Sequence, residues 1–276
     1  VFIETCRYFI KDIYILWGNL VIRQIFFASG AFLLSFALQA NAETINHAAQ
    51  YKACMKLVHT HPSDAFDSAL SWQGLGGGEA AEHCIASALI QLKSYKIGAK
   101  RLELLADNSR RSKEFKAQLL AQAAQGWFLA NDLDHARAVL TTAINLDNTQ
   151  VDFYIDRAQI RAALEAYDQA IEDLDRALAL NDIHVEALVF RGSINRQLEK
   201  FDEAWADISL ATTLEPGHQE GLLERGMLYR IKGNEDQARK SWLDAIEQAP
   251  DSRTAELARL NLERMDVKND PPKPLK

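Results

Sequence analysis

Small residues return at a fixed interval along the second half of the chain. Ala136, Ala170, Ala204 and Ala238 stand at equal steps, and Ala143, Ala177, Ala211 and Ala245 repeat the same step. Ala124, Ala158, Gly192 and Gly226 keep it at another small position, and Leu146, Leu180 and Leu214 keep it at a large one. Four registers sharing one period mark an internal repeat, with units at 117–150, 151–184, 185–218 and 219–252. Inside a unit the apolar spacing is helical. In the third, Leu188, Gly192 and Asn195 precede Glu199-Lys200-Phe201, after which Ala204, Ile208 and Ala211 recur at i, i+4 and i+7. Each unit is therefore predicted to be a helical hairpin. The breakers agree: Pro216 and Pro250 fall at unit ends and Gly233 at the turn inside the fourth unit. Asn148, Asp182 and Asp251 stand where the following helices are expected to take their N-caps.

The fourth unit reads Leu222, Gly226, Tyr229, Ala238, Trp242, Ala245 and Pro250, and the third reads Leu188, Gly192, Phe201, Ala204, Ile208, Ala211 and Pro216. These residues resemble the tetratricopeptide repeat, a unit of about 34 residues in which large, small and aromatic positions alternate in this order and a proline closes the unit. The resemblance is specific over residues 117–252. It implies an all-α fold, a right-handed superhelix of stacked helix-turn-helix hairpins, and a protein that binds other proteins. Upstream, residues 79–112 fit a further unit, with Ala86, Leu89, Tyr95, Leu102 and Leu105 at compatible places and Gly98 where Ala is expected. An insertion at 113–116 extends the next helix. Residues 43–78 fit a degenerate first hairpin. Residues 253–265 suit a capping helix with Leu257, Leu260 and Met265 on its packing face, and the proline-rich segment 266–276 is expected to be a disordered tail.

The chain departs from the repeat pattern at Arg157, Arg191 and Arg225, where the family has Leu. Asp173 and Asp207 follow the first two at one common spacing, which carries them from the first helix of a hairpin to the second. Two readings are open: a basic ladder for an anionic partner, or structural ion pairs Arg157–Asp173 and Arg191–Asp207 within the hairpins. Arg225 meets Ser241 at the equivalent place and has no evident acid.

Residues 1–42 have a different character. Residues 25–38 (IFFASGAFLLSFAL) carry no charge, follow Arg23 and lead to Ala40-Asn41-Ala42, the three parts of a secretory signal peptide. Cleavage is expected after Ala42, with the protein exported and periplasmic. As a helix, the run would rise only about 21 Å against roughly 30 Å of hydrocarbon. The sequence opens on Val and its first Met is Met55, so translation from near Val21 is a further expectation, giving a signal of ordinary length. The other reading is an uncleaved anchor that holds a structural subunit at the inner membrane.

Export changes the meaning of the cysteines. Cys6 leaves with the signal, and Cys54 and Cys84 remain as a pair in an oxidising compartment, on the first helices of neighbouring hairpins, so a disulfide between them is expected. His59, His61 and His83 lie near them and offer a metal site as the alternative, but the spacing matches no compact ligand motif. No metal or cofactor is expected. The loop Gly74-Leu75-Gly76-Gly77-Gly78 lacks the Lys-Ser or Lys-Thr of a phosphate cradle and reads as a hairpin connection. No catalytic constellation appears, so an enzyme is not expected.

Across its 276 residues the chain is 48% hydrophobic and 25% charged, with net charge −7. This balance excludes wholesale disorder and argues against nucleic acid as partner. The expected binding surface is the concave groove lined by the first helices. One row along it holds Ala121, Ile155, Val189 and Leu223. A second holds Gln125, Gln159, Ser193 and Met227, and a third holds Phe128, Ala162, Arg196 and Arg230. The apolar floor, the amides and the two arginines suit a peptide with apolar and some acidic side chains, and Ile155 and Val189 equally suit plain helix packing. Some members of the resembled family clamp the C-terminal carboxylate of heat-shock chaperones with Lys, Asn and Arg. Here Asp152, Glu186 and Glu220, with Asp156 and Glu224 a turn on, would repel such a carboxylate. The expected function is a non-enzymatic adaptor of the bacterial envelope that holds a protein or peptide partner in this groove, with membrane contact only through an uncleaved N-terminus.

Overall fold

The computed structural model describes residues 45–269. The expected signal segment, its cleavage point and residues 270–276 of the tail lie outside the described residues. Thirteen α-helices and no strand occupy the described chain: α1 (His47–Thr60), α2 (Pro62–Gly74), α3 (Gly78–Gln91), α4 (Tyr95–Asn108), α5 (Lys113–Leu129), α6 (Leu133–Leu146), α7 (Val151–Ala163), α8 (Tyr167–Leu180), α9 (Val185–Gln197), α10 (Phe201–Leu214), α11 (Gln219–Ile231), α12 (Glu235–Gln248) and α13 (Arg253–Asn269). Each packs on the next in sequence. The fold is the all-helical array of hairpins that the period implied. No helix among the described residues is long and apolar enough to cross a membrane.

The second helices show most directly why the sequence folds this way. In α8 the buried residues are Ala170, Asp173, Leu174, Ala177 and Leu178, at i, i+3, i+4, i+7 and i+8, a single stripe facing the array. Small residues let the two helices of a hairpin approach. A Cβ on Gly192 would lie 2.8 Å from Ile208 Cγ1, and one on Gly226 would strike the indole of Trp242. The core is divided into clusters along the array, one around Cys54 and Cys84, a second around Leu140, a third around Leu174 and Ile208, and a fourth around Trp242. That segmentation is what nearest-neighbour stacking produces.

The turn inside a hairpin repeats as strictly as the core. Lys93, Asn131, Glu165 and Glu199 have φ of 62°, 58°, 60° and 61°, and Gly233 completes the series at 75°. After each, two backbone amides reach back into the preceding helix: Glu165 N donates to Ala162 O at 3.0 Å and Ala166 N to Arg161 O at 2.8 Å. This is a Schellman closure. Only the fourth hairpin of the period uses the glycine that the left-handed conformation favours.

Three expectations are corrected here. The N-caps are Gln150, His184 and Ser252, not Asn148, Asp182 and Asp251: His184 Nδ1 accepts from Ala187 N at 3.4 Å and Ser252 Oγ from Ala255 N at 3.0 Å. Polar residues ahead of the caps close the preceding loops, as when Asn181 Oδ1 accepts from Ile183 N. The last helix continues to Asn269, beyond the expected end at 265. Its packing face is also different: Ala255, Ala258 and Met265 are buried, whereas Leu257 and Leu260 are exposed. Small Ala side chains let α13 seat closely on α11 and α12, and the leucines are turned away.

Candidate interaction surface

The first helices of the repeats, α5, α7, α9 and α11, each leave one face out of the core. It falls at positions 118, 122 and 125 of α5 and recurs one repeat later at 152, 156 and 159, then at 186, 190 and 193, then at 220, 224 and 227. The spacing i, i+4, i+7 is one side of a helix. Neighbouring first helices touch, α5 with α7 and α9 with α11, and Ile155 of α7 shares a core cluster with Val189 of α9, so these faces follow one another along the array.

The three expected groove rows fare differently on it. Ala121, Ile155, Val189 and Leu223 are 6–8% exposed and belong to the core clusters, so this row serves the packing of the helices and forms the floor of the surface. Gln125 and Gln159 are exposed, and Ser193 and Met227 half-buried. Phe128 is half-buried against the Leu140 cluster, and Ala162 against the cluster around Leu174.

Arg196 requires the largest correction. Its Nε donates to Glu224 Oε2 at 2.5 Å and its Nη2 to Oε1 at 3.1 Å, while Ser193 Oγ donates to Glu224 Oε1 at 3.0 Å. Glu224 is only 8% exposed. A carboxylate so far out of water must be neutralised, and Arg196 with Ser193 does this from the neighbouring helix. Arg196 is therefore not a free cation for an acidic peptide. Arg230 is half-buried and makes no ion pair among the described residues.

The remaining charge of this surface is acidic. Asp152, Glu186 and Glu220 are exposed, and Asp156 is half-buried without a hydrogen bond from its carboxylate to any described residue. Burial, with Asp152 close by, pushes the Asp156 carboxyl up to about 6. Phe190 occupies the place between Asp156 and Glu224 in the repeat register. Gln118, Gln122 and Phe190 are surface positions that the three rows leave out, although moving one repeat on from Asp156 reaches Phe190, and a second step reaches Glu224.

The other arginines serve the hairpins. Arg157 meets Asp173 through two hydrogen bonds of 2.6 and 2.9 Å, and Arg191 meets Asp207 at 2.7 and 2.9 Å. Each also reaches back to the preceding unit, Arg157 to Thr141 at 3.2 Å and Arg191 to Asp175 at 2.6 Å. One guanidinium thus ties its own second helix to that of the preceding unit. With carboxylates on both sides, the Arg191 guanidinium is held more firmly protonated than usual. Arg225 donates to Ser241 at 3.2 Å and lies 3.7 Å from Asp244, an acid that the equivalence of positions between units does not point to.

At the other end of the array a disulfide joins Cys54 on α1 to Cys84 on α3, with Cα atoms 6.3 Å apart. His83 beside it links three first helices. Gln122 presents its carbonyl oxygen to Nε2 at 2.8 Å, so Nε2 carries the proton and Nδ1 accepts from the Tyr51 hydroxyl at 2.7 Å. Burial lowers the pKa of His83 and favours this neutral form. Both cysteines and His83 are thus committed to packing, and no cluster of three or more His, Cys, Asp or Glu among the described residues is placed to hold a metal. In the glycine loop, a Cβ on Gly77 would lie 2.9 Å from the Trp72 indole, so the loop packs on its own helix.

No family model matches the sequence, and no curated protein matches it. The geometry does match solved structures. PilF of Pseudomonas aeruginosa aligns with a TM-score of 0.63 at 13% identity, over 79% of this chain and 97% of its own. MamA aligns at 0.52 and 18% identity, over 67% and 97%. YrrB, a tetratricopeptide-repeat protein with an unusual peptide-binding site, aligns at 0.50 and 20% identity, over 65% and 91%. The chain has a tetratricopeptide-repeat fold. At these identities the likeness is one of fold, which leaves the function to be argued from the site.

Proposed function

We propose that the chain is a non-enzymatic interaction scaffold that holds a peptide or partner protein along the successive inner faces of α5, α7, α9 and α11. The observation carrying this reading is that these faces stay accessible in all four units, with Gln125, Gln159, Glu186 and Glu220 exposed and Phe190 and Met227 half-buried, Glu224 being the one buried position among them. Amides at regular intervals can pair an extended backbone, and half-buried apolar groups offer contacts between them. The repeat fold supports the reading, as does the peptide site of YrrB.

We further propose that the protein works in an exported compartment of a bacterial envelope. The uncharged run at 25–38 followed by Ala40-Asn41-Ala42 supports this, and so does the disulfide, a bond that persists under oxidising conditions. A photoreactive side chain introduced at Gln159, compared with one at Arg176 on the exposed side of α8, tests the groove. Cross-linking to one partner from position 159 and not from 176 is expected; the reverse pattern overturns it. The intact mass of the exported chain tests the compartment, since a product starting at Glu43 is expected and one retaining residues 1–42 favours the membrane-anchored reading.

A further inference from the structure

Carboxylates in this array are treated in two ways. Inside the hairpins, Asp173 and Asp207 are each matched by an arginine, at 2.6 and 2.7 Å. On the inner face, Asp156 and Glu186 have no ion pair among the described residues. Among the described residues the ionic neighbours of Asp152 and Glu220 are histidines alone, His184 at 3.9 Å and His218 at 3.7 Å. Arg196, the central cation of the face, is cancelled by Glu224. Arg230, near the end of α11, is the one unpaired cation of the three rows, so on α7 and α9 Asp152, Asp156 and Glu186 leave an excess of negative charge, of which the half-buried Asp156 is the part least screened by water.

Shape points the same way. Phe190, half-buried against the cluster around Leu174, lies one repeat beyond Asp156 at the same helical position, so the register sets an aromatic residue and a poorly solvated carboxylate one unit apart on the same face, with Met227 further on. Lysine and arginine match this pairing because each joins an apolar stem to a cationic head, and an aromatic ring attracts the head as well. A glutamate-bearing segment would meet Asp152, Asp156 and Glu186 with like charge.

We infer that the occupant of this face is an extended peptide segment bearing lysine or arginine, with one cationic head against Asp152 and Asp156 and its stem on Phe190. The inference rests on the reading of this face as the peptide groove. It is the opposite charge preference to that suggested by Arg196 and Arg230 in the sequence.

The test is fluorescence anisotropy of the full chain with a labelled short peptide of alternating leucine and lysine, and with counterparts carrying glutamate or glutamine in place of lysine. The lysine peptide is expected to bind at least about tenfold more tightly than the glutamate peptide, with the preference shrinking as salt is raised. Asp156→Asn with Glu186→Gln should remove most of the preference at unchanged far-UV helicity. Phe190→Ala should weaken the lysine peptide severalfold. Glutamate binding as tight as lysine overturns the charge inference, and if Gln159→Arg then alters binding the groove itself stands. Binding of all peptides that ignores Asp156, Glu186, Phe190 and Gln159 alike, or no saturable binding at all, overturns both.

Discussion

Arg196 on α9 and Glu224 on α11 are joined by two hydrogen bonds of 2.5 and 3.1 Å across the boundary between consecutive units. The pair lies on the surface expected to receive a partner, yet its geometry makes it a joint of the array. Arg196→Ala should leave Glu224 buried with only Ser193, and breaking such a pair costs about 3 kcal/mol. Adding Glu224→Gln should recover much of this, because the uncompensated charge goes with it. A double-mutant cycle by urea denaturation measures the coupling, and a value near zero would show that the pair is solvated. For the same reason a charge reversal at Arg196 perturbs folding and is a poor probe of binding.

Asp156 should make the array less stable as the pH rises. Its carboxyl titrates near 6 in the folded protein against about 3.8 unfolded, so between these values the folded state holds the proton that the unfolded state has released. The penalty for ionising it is absent below about pH 4 and complete above about pH 6. Asp156→Asn should match the wild type in acid and exceed it at neutral pH by up to about 3 kcal/mol. Thermal melts of the two proteins across this window decide it; parallel curves would mean that Asp156 is well solvated.

The disulfide should govern the N-terminal hairpin locally. Cys54 and Cys84 close a loop over a separation of 30 residues, for which the chain-entropy model gives about 3 to 4 kcal/mol. Stability in a stacked array is built from nearest neighbours, so reduction should loosen α1 and α2 and leave α9 to α12 protected. Hydrogen exchange on the reduced and oxidised protein shows this directly. Uniform loss of protection to Gln248 would instead mean that the array unfolds as one unit.

The period made the helices legible, because Ala136, Ala170, Ala204 and Ala238 answer to a steric requirement that recurs identically in every unit. The pairing of Arg157 with Asp173 was legible for the same reason, since crossing a hairpin takes the same length of chain each time. The surface chemistry was less so. Whether Arg196 is a free cation depends on the rotamers of Ser193 on its own helix and Glu224 on another, and no repeat position dictates them. The caps also escaped: several side chains near a helix start can reach its amides, and His184 and His218 took the role through Nδ1, which a preference for Asn and Asp does not anticipate.

The left-handed turns make a prediction that isolates backbone from packing. Glu165 and Glu199 hold φ near 60° and are exposed, with the closing amides of each turn already satisfied by the preceding helix. A side chain with a Cβ is strained in that region, at about 1 kcal/mol or somewhat more, whereas glycine enters it freely and loses more entropy on folding. The first effect outweighs the second here, because Gly233 shows that glycine fits the same turn without altering it. Glu165→Gly and Glu199→Gly should therefore each stabilise the protein by about 0.5 kcal/mol and should add when combined, being a full repeat apart. Asn131→Gly should gain less, since asparagine tolerates this conformation better than glutamate does. Equilibrium denaturation of the three variants gives the order, and destabilisation by either Glu→Gly change would mean that the glutamate side chains contribute to the turn.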